Sequence, residues 1–335
     1  MSDARSIGVL IPTRNCASLI PGHLDSLRPW LDLAEEVVVV DSDSRDGTVE
    51  LLQTGLSHPK VAYVTHPPGL YQSWNHGIRQ LRSKYCYIST VGDSITRAGL
   101  EHLHQAMETL AADVVVSKPR YITEKGRPMK APRWPIDDLN LTLGRGEPFA
   151  LEGATLFLFA LVHYREALLG SSASNLYRTE CLQAHPFPTG YGTVGDGAWG
   201  LENCVKIRLG VMPKVFSTFR DHAKAYPQAE YAVDELSHKL LQRICDTWQA
   251  EKTRDPLAGA LRNGAPLPEI IPLLEEILGY QEQLERARHG AVPWIFNPSA
   301  WAARVKRNRL KRKVSGLKFA ALERLGVKYN QAGPA

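Results

Sequence analysis

Apolar runs and helical segments alternate over residues 1–117 of the chain. Uninterrupted apolar runs are typical of parallel strands that are buried on both faces. Five short runs predict strands, which we place at residues 7–11, 37–40, 61–64, 85–89 and 113–117. The segments between them predict helices, most clearly over residues 72–82 and 97–110. Because strands and helices alternate, we expect an α/β fold with a doubly wound, mostly parallel sheet and right-handed crossovers.

The pattern changes after the fifth predicted strand. Residues 118–150 are rich in proline, glycine and charge, and a loop of this length in a compact domain is usually functional or disordered. An apolar helix is expected over residues 151–168, and a glycine-rich run follows at residues 190–200. The later sequence has a helical pattern. We therefore expect an α/β domain over residues 1–230 and a helical C-terminal extension over residues 231–335.

The net charge of +5 is unevenly distributed along the chain. Residues 286–322 contain ten Lys or Arg residues and no acid, so the remainder carries a net charge of −5. This distribution argues against a core that binds nucleic acid. Apolar residues of the tail recur at helical spacing beneath its cationic face, at Leu310, Val314, Leu317, Ala321 and Leu325. Such a helix either lies on an anionic membrane surface or packs against the main domain.

Cysteine usage and hydropathy indicate the compartment. The five cysteines are scattered and form no Cys-x-x-Cys pair, which argues against a disulfide framework or a zinc knuckle. No uncharged apolar stretch reaches the ~20 residues that a membrane-spanning helix needs. The apolar run at the N-terminus is too short for a signal peptide. We expect a cytoplasmic protein, with the basic tail as a candidate for peripheral contact with the inner face of the plasma membrane.

Polar residues cluster at the carboxyl ends of the predicted strands, where open α/β sheets bind their ligands. In strand order these residues are Thr13, Arg14 and Asn15, then Asp41 and Asp43, then His66 and Gly69, then Asp93 and Ser94. Three acids at neighbouring strand ends suit a cation or the polar edges of a nucleoside. The chain has no Gly-x-Gly-x-x-Gly after its first strand and no P-loop, which excludes the usual dinucleotide and triphosphate sites.

Residues 92–95, Gly-Asp-Ser-Ile, allow two interpretations. They resemble the nucleophile block of the GDSL esterases, in which the serine attacks an ester. That block lies on the first strand of those enzymes and requires a downstream Asp-x-x-His pair. Here it follows the fourth strand, and the chain contains no Asp-x-x-His. Without a base and its orienting acid the serine cannot be activated, so Asp93 is favoured over Ser94 as the functional residue.

Seven blocks in order resemble those of the family 2 glycosyltransferases, which have the GT-A fold. The first four are IGVLIPTRN, VVVVDSDSRDGT, GLYQSWNHGI and YCYISTVGDS. The remaining three are SSASNLYR, GDGAW and FRDHAKAY. Together the blocks span roughly residues 7–226. The resemblance implies a Rossmann-like, mostly parallel sheet with flanking helices, with a donor-binding half over residues 1–117 and an acceptor side over residues 118–230.

The resemblance also implies which residues bind the nucleotide-sugar donor, whose nucleotide we expect to be UDP, GDP or dTDP. Asp41 is expected to face the base, and Asn75 to lie near the donor phosphates. The full donor-binding set implied in this way is Pro12, Thr13, Arg14, Asn15, Asp41, Asp43, Asn75, Gly92 and Asp93.

A divalent cation, Mn²⁺ or Mg²⁺, is implied as the cofactor. Asp93 matches the last acid of the family's Asp-x-Asp motif, whereas Val91 replaces the first. One carboxylate of the family's metal motif is therefore missing from this chain. His222 matches a histidine that often reaches the metal or the diphosphate, and it is the second candidate ligand.

Asp196 falls where the family carries its general base. A sugar hydroxyl is a poor nucleophile near neutral pH, so a carboxylate must take its proton as it attacks. Attack from the face opposite the leaving nucleotide inverts the anomeric configuration. Asn175, Arg178 and Arg220 are candidates for the acceptor or phosphate side. The acceptor is expected to be a saccharide or a lipid-linked saccharide, in the synthesis of a surface or extracellular polysaccharide.

Two other functions remain open at the level of the sequence. A nucleotidyltransferase that makes the activated sugar would keep the fold, but such enzymes usually carry a glycine-rich loop after the first strand. A non-catalytic module that binds nucleotide sugars or glycans is favoured by Val91 alone. Structural roles are also open for single residues: Asp93 as the N-cap of the following helix, and Asn75 as a helix-surface residue.

Overall fold

The computed structural model describes most of the first 221 residues and four residues near the C-terminus. The described ranges are 6–130, 136–137, 146–152, 156, 159–160, 169, 171–204, 206–221, 305, 308–309 and 312. The predicted apolar helix at 151–168 lies almost entirely outside these ranges. The predicted domain boundary near residue 230 and the rest of the C-terminal extension also lie outside them.

The first half of the sheet is parallel, as the pattern predicts. Its strands are β1 (Ile7–Thr13), β2 (Ala34–Asp41), β3 (Val61–Thr65) and β4 (Tyr85–Ile88), in the spatial order β3-β2-β1-β4. The helices between them are α1 (Ile20–Leu27), α2 (Thr48–Gly55) and α3 (Leu70–Ile78). Parallel pairing places the carboxyl ends of all four strands at one edge of the sheet.

The second half of the sheet is mixed. It contains β5 (Ser94–Ile95), β6 (Val114–Ile122), β7 (Phe149–Leu151), β8 (Asn175–Arg178) and β9 (Leu209–Arg220). Its helices are α4 (Arg97–Thr109), α5 (Thr179–Ala184) and α6 (Gly195–Asn203). The strand order continues as β4-β8-β6-β9-β5, with β7 paired to β9.

The short strand β8 departs from the predicted topology. It lies antiparallel between β4 and β6, so the predicted fourth and fifth strands are not neighbours. Leu176 and Tyr177 are both buried in this position, one in the core on each face of the sheet. A four-residue strand gives no readable periodicity, which is why the sequence pattern does not reveal it.

The sheet is covered on both faces, and this explains the uninterrupted apolar runs. Along β2, Val38 and Val40 belong to the core beneath α3, whereas Val37 and Val39 belong to the core on the opposite face. Successive side chains of a strand point to opposite faces, so each valine is buried although its neighbours face the other way.

One glycine lets helix α3 pack directly against the sheet. A Cβ atom at Gly77 would lie 2.3 Å from Leu10 Cδ1 and 2.5 Å from Val40 Cγ2. No side chain fits at that distance, so the glycine sets how deeply α3 packs on β1 and β2. The start of α3 is thereby fixed directly beside the carboxyl edge of the sheet.

Both ends of α4 are defined by specific hydrogen bonds. The Thr96 hydroxyl accepts a bond of 3.0 Å from the Gly99 amide, so Thr96 is the N-cap and Asp93 is not. At the other end Ala111 has a φ of 48°, in the left-handed region. The Ala112 amide donates to the Met107 carbonyl at 3.1 Å, which completes a Schellman turn.

The C-terminal tail contributes only four described residues, Val305, Asn308, Arg309 and Arg312. All of them are helical and exposed. Within the described part of the chain, no helix combines the length and the apolar character that crossing a bilayer requires.

Candidate active site

Asp41 is a buried carboxylate held by the loop that follows it. The pairing of β1 with β2 places Thr13 beside Asp41, and the Thr13 hydroxyl donates to Asp41 Oδ1 at 3.0 Å. The Ser44 amide and hydroxyl donate to the same carboxylate at 2.8 and 2.5 Å. Pro12 is partly buried in β1, and Arg14 is exposed at the start of the adjoining loop. The carboxylate is thereby fixed at the carboxyl edge of the sheet.

The loops after β1 and β2 are bonded to each other. Asn15 and Asp43 both have left-handed backbones, with φ values of 45° and 58°, which Asn and Asp tolerate better than other side chains. The Asn15 side chain accepts from the Arg45 amide at 2.9 Å, and the Asn15 amide donates to Ser44 Oγ at 2.9 Å. Asp43 is exposed and pairs with Arg45 at 3.0 Å. The structure thus brings the predicted Pro12–Asn15 and Asp41–Asp43 segments together.

Asp93 lies in the loop between β4 and β5 and is only 4% exposed. Gly92 precedes it with a φ of 99°, a conformation that favours glycine. Asp93 accepts hydrogen bonds from the Thr90 hydroxyl at 2.5 Å and from the Arg220 amide at 2.8 Å. Burial raises the pKa of Asp93 to about 7, because loss of water around the carboxylate outweighs these two bonds, which lower it.

The described residues around Asp93 fit a divalent cation only with a single protein ligand. Val91 is buried in the same core cluster as Ile95 and offers no oxygen. No group of three metal-ligating side chains occurs among the residues that the structure describes, and His222 lies outside them. One carboxylate is sufficient for Mg²⁺, which usually keeps several waters and binds through one or two carboxylates plus substrate phosphates.

Arg220 is the last residue of β9, and its side chain joins two loops. Its Nε donates to the Gly92 carbonyl at 3.3 Å, and its Nη1 donates to the Glu124 carbonyl at 2.6 Å. A guanidinium carries five N–H donors, so these two bonds leave others for a phosphate. The predicted place of Arg220 on the phosphate side stays a prediction.

Two of the three predicted asparagines, Asn75 and Asn175, make structural hydrogen bonds. The Asn75 amide group bonds both main-chain groups of Phe187, donating to the carbonyl at 2.7 Å and accepting from the amide at 2.9 Å. These bonds tie α3 to the segment before α6, while the predicted phosphate contact of Asn75 stays a prediction. Asn175 is fully buried and donates to the Leu169 carbonyl and the Tyr177 hydroxyl. The structure therefore places Asn175 in the core and not at an exposed surface of the site.

Arg178 does not belong to the site. It pairs with Tyr85, the first residue of β4, and therefore lies at the edge of the sheet opposite the strand ends that carry Asp41 and Asp93. There it donates to Asp113 at 3.2 Å and to the Ala112 carbonyl at 3.0 Å. Because β8 runs antiparallel to β4, its last residue falls at the wrong edge for a phosphate contact. The structure therefore does not bring Arg178 together with Asp41 and Asp93.

Asp196 lies in the first turn of α6, where the glycine-rich sequence forms a helix. Its Oδ1 accepts from the Gly197 amide at 2.7 Å, and its carboxylate also contacts the hydroxyl of Tyr71 in the first turn of α3. Burial raises the pKa of Asp196, although the Gly197 amide and the nearby Tyr71 hydroxyl lower it. A raised pKa suits a general base that works near neutral pH.

Several residues that the sequence did not single out hold the site together. Ser44 lies three residues after Asp41, and Thr90 lies three residues before Asp93. A hydroxyl three residues from a loop carboxylate is a recurrent turn spacing, and this signal could have identified both. Tyr71 lies one helical turn before Asn75, so the pair shares a face of α3. His23 in α1 is buried against Ser89, with His23 Nε2 3.4 Å from Ser89 Oγ, and no sequence signal marks it.

Comparisons with known proteins bear on the family and on the fold. The model of the family "Glycosyl transferase family 2" matches residues 8–164. No curated protein matches the sequence. The match at family level therefore rests on the donor-side strands and on the segment that follows them.

Solved structures of glycosyltransferases share the fold. The crystal structure of S. aureus TarS 1-349 in complex with UDP-GlcNAc is 16% identical, with a TM-score of 0.54 over 98% of this chain and 98% of that chain. The TarS 1-349 complex with UDP is 15% identical, with a TM-score of 0.51 and the same coverage. The mannosyltransferase PcManGT from Pyrobaculum calidifontis, in complex with GDP-Man and Mn²⁺, is 19% identical. Its TM-score is 0.50 over 96% of this chain and 86% of that chain.

At these identities the structural likeness shows the fold alone, and the family match adds the chemistry. The match therefore favours glycosyl transfer over both a nucleotidyltransferase and a non-catalytic binding module. The chain has the GT-A fold and is a glycosyltransferase, and its residues 8–164 match the model of glycosyl transferase family 2.

Proposed function

We propose that this protein moves a sugar from a nucleoside-diphosphate-sugar to a hydroxyl of a saccharide, with inversion at the anomeric carbon. The observation that carries the proposal is the fixed arrangement of buried carboxylates at the carboxyl edge of the sheet. Asp41 ends β2 and Asp93 follows β4, the two strands that flank β1, and hydrogen bonds hold both carboxylates in place. Asp196 is held separately, against the first turn of α3.

The donor nucleotide would lie across the ends of β1 and β2. Asp41 keeps acceptor capacity for a base or ribose donor, because a carboxylate has about four lone-pair sites and three are used by Thr13 and Ser44. Arg14, Asn15 and Asp43 line the exposed mouth of this region. The TarS and PcManGT structures contain UDP-GlcNAc and GDP-Man, which supports a UDP-, GDP- or dTDP-linked sugar as donor.

A divalent cation would be held by Asp93, with His222 as a second candidate ligand. When bound, the ion would neutralise charge on the diphosphate as it leaves. The Mn²⁺ in the PcManGT structure supports this cofactor for the fold. In this chain the contribution of Asp93 is to hold one carboxylate oriented through Thr90 and the Arg220 amide.

Asp196 takes the proton of the acceptor hydroxyl as its oxygen bonds to the anomeric carbon. The bond from that carbon to the diphosphate breaks in the same displacement, so no enzyme nucleophile is required. Raising the pKa of a carboxylate brings it towards neutral pH, where a base is ionised yet still accepts a proton. The inverted configuration would be read directly from the anomeric signal of the product by NMR.

The acceptor and its setting follow from the rest of the chain. Asp196, the proposed base, lies outside the donor-binding half, so we place a saccharide or lipid-linked saccharide on the side of residues 118–230. Surface or extracellular polysaccharide synthesis on the cytoplasmic side of a membrane accounts for such an acceptor. The basic tail at residues 286–322 would then hold the enzyme at the inner face of the plasma membrane.

A thermal-shift panel with UDP, GDP, dTDP and CMP, each with Mn²⁺, Mg²⁺ or EDTA, tests the donor site. A ligand present at 100 times its Kd stabilises a protein by about 2.7 kcal/mol, which is easily measured. We expect one nucleoside diphosphate to stabilise the protein in the presence of the cation. Chelation and Asp93→Asn should both remove the shift, whereas Asp25→Asn, in an exposed pair with Arg28, should retain it.

Turnover completes the test. Incubation with the stabilising nucleotide sugar and saccharide acceptors should release the nucleoside diphosphate and yield the inverted glycoside. Release of pyrophosphate from a nucleoside triphosphate and a sugar phosphate would instead identify a nucleotidyltransferase. A donor shift that persists in Asp93→Asn would remove Asp93 from the donor site.

A further inference from the structure

The Tyr71 hydroxyl lies among three polar groups of the turn that begins α6. It donates a hydrogen bond of 3.1 Å to the Thr193 carbonyl. It also lies near the carboxylate and the main-chain amide of Asp196. Tyr71 is 3% exposed, so these groups, rather than water, satisfy its hydroxyl. The residue therefore does more than fill the core.

The Tyr71 ring is locked in this position. Trp74 lies edge-on with ring centroids 5.1 Å apart, and Phe187 lies 5.5 Å away on another side. A Cβ at Gly195 would lie 2.5 Å from Tyr71 Cδ2 and Cε2, so only glycine admits the ring here. A Cβ at Gly197, two residues on, would meet open space. The first turn of α6 is thus shaped around Tyr71.

The phenol has one proton and two acceptors within reach. When Asp196 is ionised, the hydroxyl can donate to its carboxylate. When Asp196 has taken a proton, the carboxyl O–H can donate to the Tyr71 oxygen, while the phenol proton turns to the Thr193 carbonyl. Hydroxyl rotation alone connects the two arrangements, and each leaves every buried donor with an acceptor.

We propose that Tyr71 is the positioning residue of the general base. It holds the Asp196 carboxylate in the same position before and after Asp196 receives the proton of the acceptor hydroxyl. This inference rests on the proposed function of Asp196. It is carried by the contacts of the Tyr71 hydroxyl and by the glycine that admits its ring. A phenylalanine would pack equally well and could make none of these bonds.

The groups that face Asp196 among the described residues determine the direction of its titration. Burial raises the pKa of Asp196, and the Tyr71 hydroxyl and the Gly197 amide lower it. Tyr177 also faces Asp196 from β8, with its own hydroxyl bonded to Asn175. Removing the Tyr71 hydroxyl should therefore raise the pKa of Asp196 further and move the acidic limb of the activity profile to higher pH.

Tyr71→Phe is the first test, with steady-state kinetics measured across pH. We expect an unchanged donor KM and a kcat lower by about 10- to 100-fold, the range for a lost hydrogen bond to a charged group. The acidic limb should move up by about one pH unit, which corresponds to about 1.4 kcal/mol. The control is Tyr63→Phe, which also removes one hydroxyl bonded to a carbonyl, that of Leu52 on α2. It should retain the wild-type profile.

A second variant keeps the test decisive if Tyr71→Phe folds poorly. Replacement of Tyr71 by 3-fluorotyrosine retains the shape and makes the hydroxyl a stronger donor, so the acidic limb should move to lower pH. The inference is overturned if the acidic limb of the pH profile is unchanged in both Tyr71→Phe and the 3-fluorotyrosine variant and kcat equals that of the wild type. An inactive Asp196→Asn beside such variants would leave the proposed function intact, whereas a fully active Asp196→Asn would overturn the base assignment itself.

Discussion

At the scale of single residues, the three carboxylates of the site differ in their surroundings. Asp41 is held in one orientation by three hydrogen bonds from Thr13 and Ser44. Asp93 and Asp196 accept fewer bonds, and burial raises the pKa of each. Asp41 thus suits a fixed hydrogen-bond acceptor, and Asp196 suits a group that exchanges a proton.

The first prediction concerns the loss of the base. Asp196→Asn should lower kcat by about 10²- to 10⁴-fold, the usual contribution of general acid–base catalysis. In the wild type, kcat/KM should fall as the pH drops, because protonated Asp196 cannot accept the acceptor proton. The raised pKa of Asp196 places this fall above the ordinary range of an aspartate. A pH–rate profile checks both statements, and an acidic limb that persists in Asp196→Asn would assign the limb to another group.

The second prediction concerns His23, which is buried beneath the Asp93 loop. Burial lowers the pKa of His23 from 6.5 to about 4. The unfolded state then binds the proton more readily, so stability contributed by neutral His23 is present above pH 6.5 and is lost as the pH falls towards 4. The total amounts to about 3 kcal/mol at 1.36 kcal/mol for each unit of pKa.

Urea unfolding of His23→Gln and the wild type at several pH values checks this. The stability difference between them should shift in favour of the variant as the pH falls from 6.5 to 4. The two proteins must be compared because Asp93 also makes stability depend on pH. Its raised pKa stabilises the fold as the pH falls, the opposite sense to His23, over an overlapping pH range. The exposed His58 provides the control, since His58→Gln should parallel the wild type.

At the scale of elements, the sequence predicted where the parallel strands end. It did not predict how the later segments of the chain pack around those ends. The apolar runs correctly place β1 to β4, and parallel pairing then brings the segments carrying Asp41 and Asp93 to one edge. Whether a glycine-rich segment forms a loop or a helix depends on its packing partner. Gly195 and Gly197 lie in a helix because Tyr71 fills the space beside the first of them. Asp196 was therefore identified from the sequence as a candidate base, whereas its packing against Tyr71 was not predicted.

The third prediction concerns the end of α4. Ala111 has a left-handed backbone, with a φ of 48°, at a position where glycine is favoured. This conformation is strained for any residue with a Cβ atom. Ala111→Gly should stabilise the protein by about 0.5–1 kcal/mol, because relief of the backbone strain exceeds the greater freedom of glycine in the unfolded chain. Ala111→Val should destabilise it, since a β-branched residue fits this region poorly. Chemical denaturation of the three proteins orders them, and a less stable glycine variant would contradict the assignment.

At the scale of the whole molecule, charge separates the donor-side fold from the tail. Residues 286–322 carry a net charge of +10 against −5 for the rest of the chain. The described Arg309 and Arg312 are exposed on a helical segment, as a surface-binding helix requires. Sequence alone could show this asymmetry, because charge is a property of composition. It could not show what the tail contacts, because an amphipathic helix is compatible with both a membrane and a protein surface.

The fourth prediction distinguishes these two surfaces. Vesicles containing phosphatidylserine should sediment the full chain at low salt and release it at high salt, since such attraction is screened. Arg309→Gln with Arg312→Gln should weaken binding by about 1 kcal/mol for each charge removed. Neutral phosphatidylcholine vesicles are the control. Equal binding of the double variant and the wild type would favour a tail packed on the protein.

The anchors of the site have a consequence for how such proteins diverge. Asp41, Asn15, Asn75, Asp93 and Asp196 each bond a main-chain amide of another residue. Every amino acid except proline supplies that amide. The residues that donate these amides can therefore be substituted while the hydrogen bonds persist. Sequence comparison would not identify them as part of the site. Proline is the one replacement that this scaffolding excludes, at Ser44, Arg45, Phe187, Gly197 and Arg220.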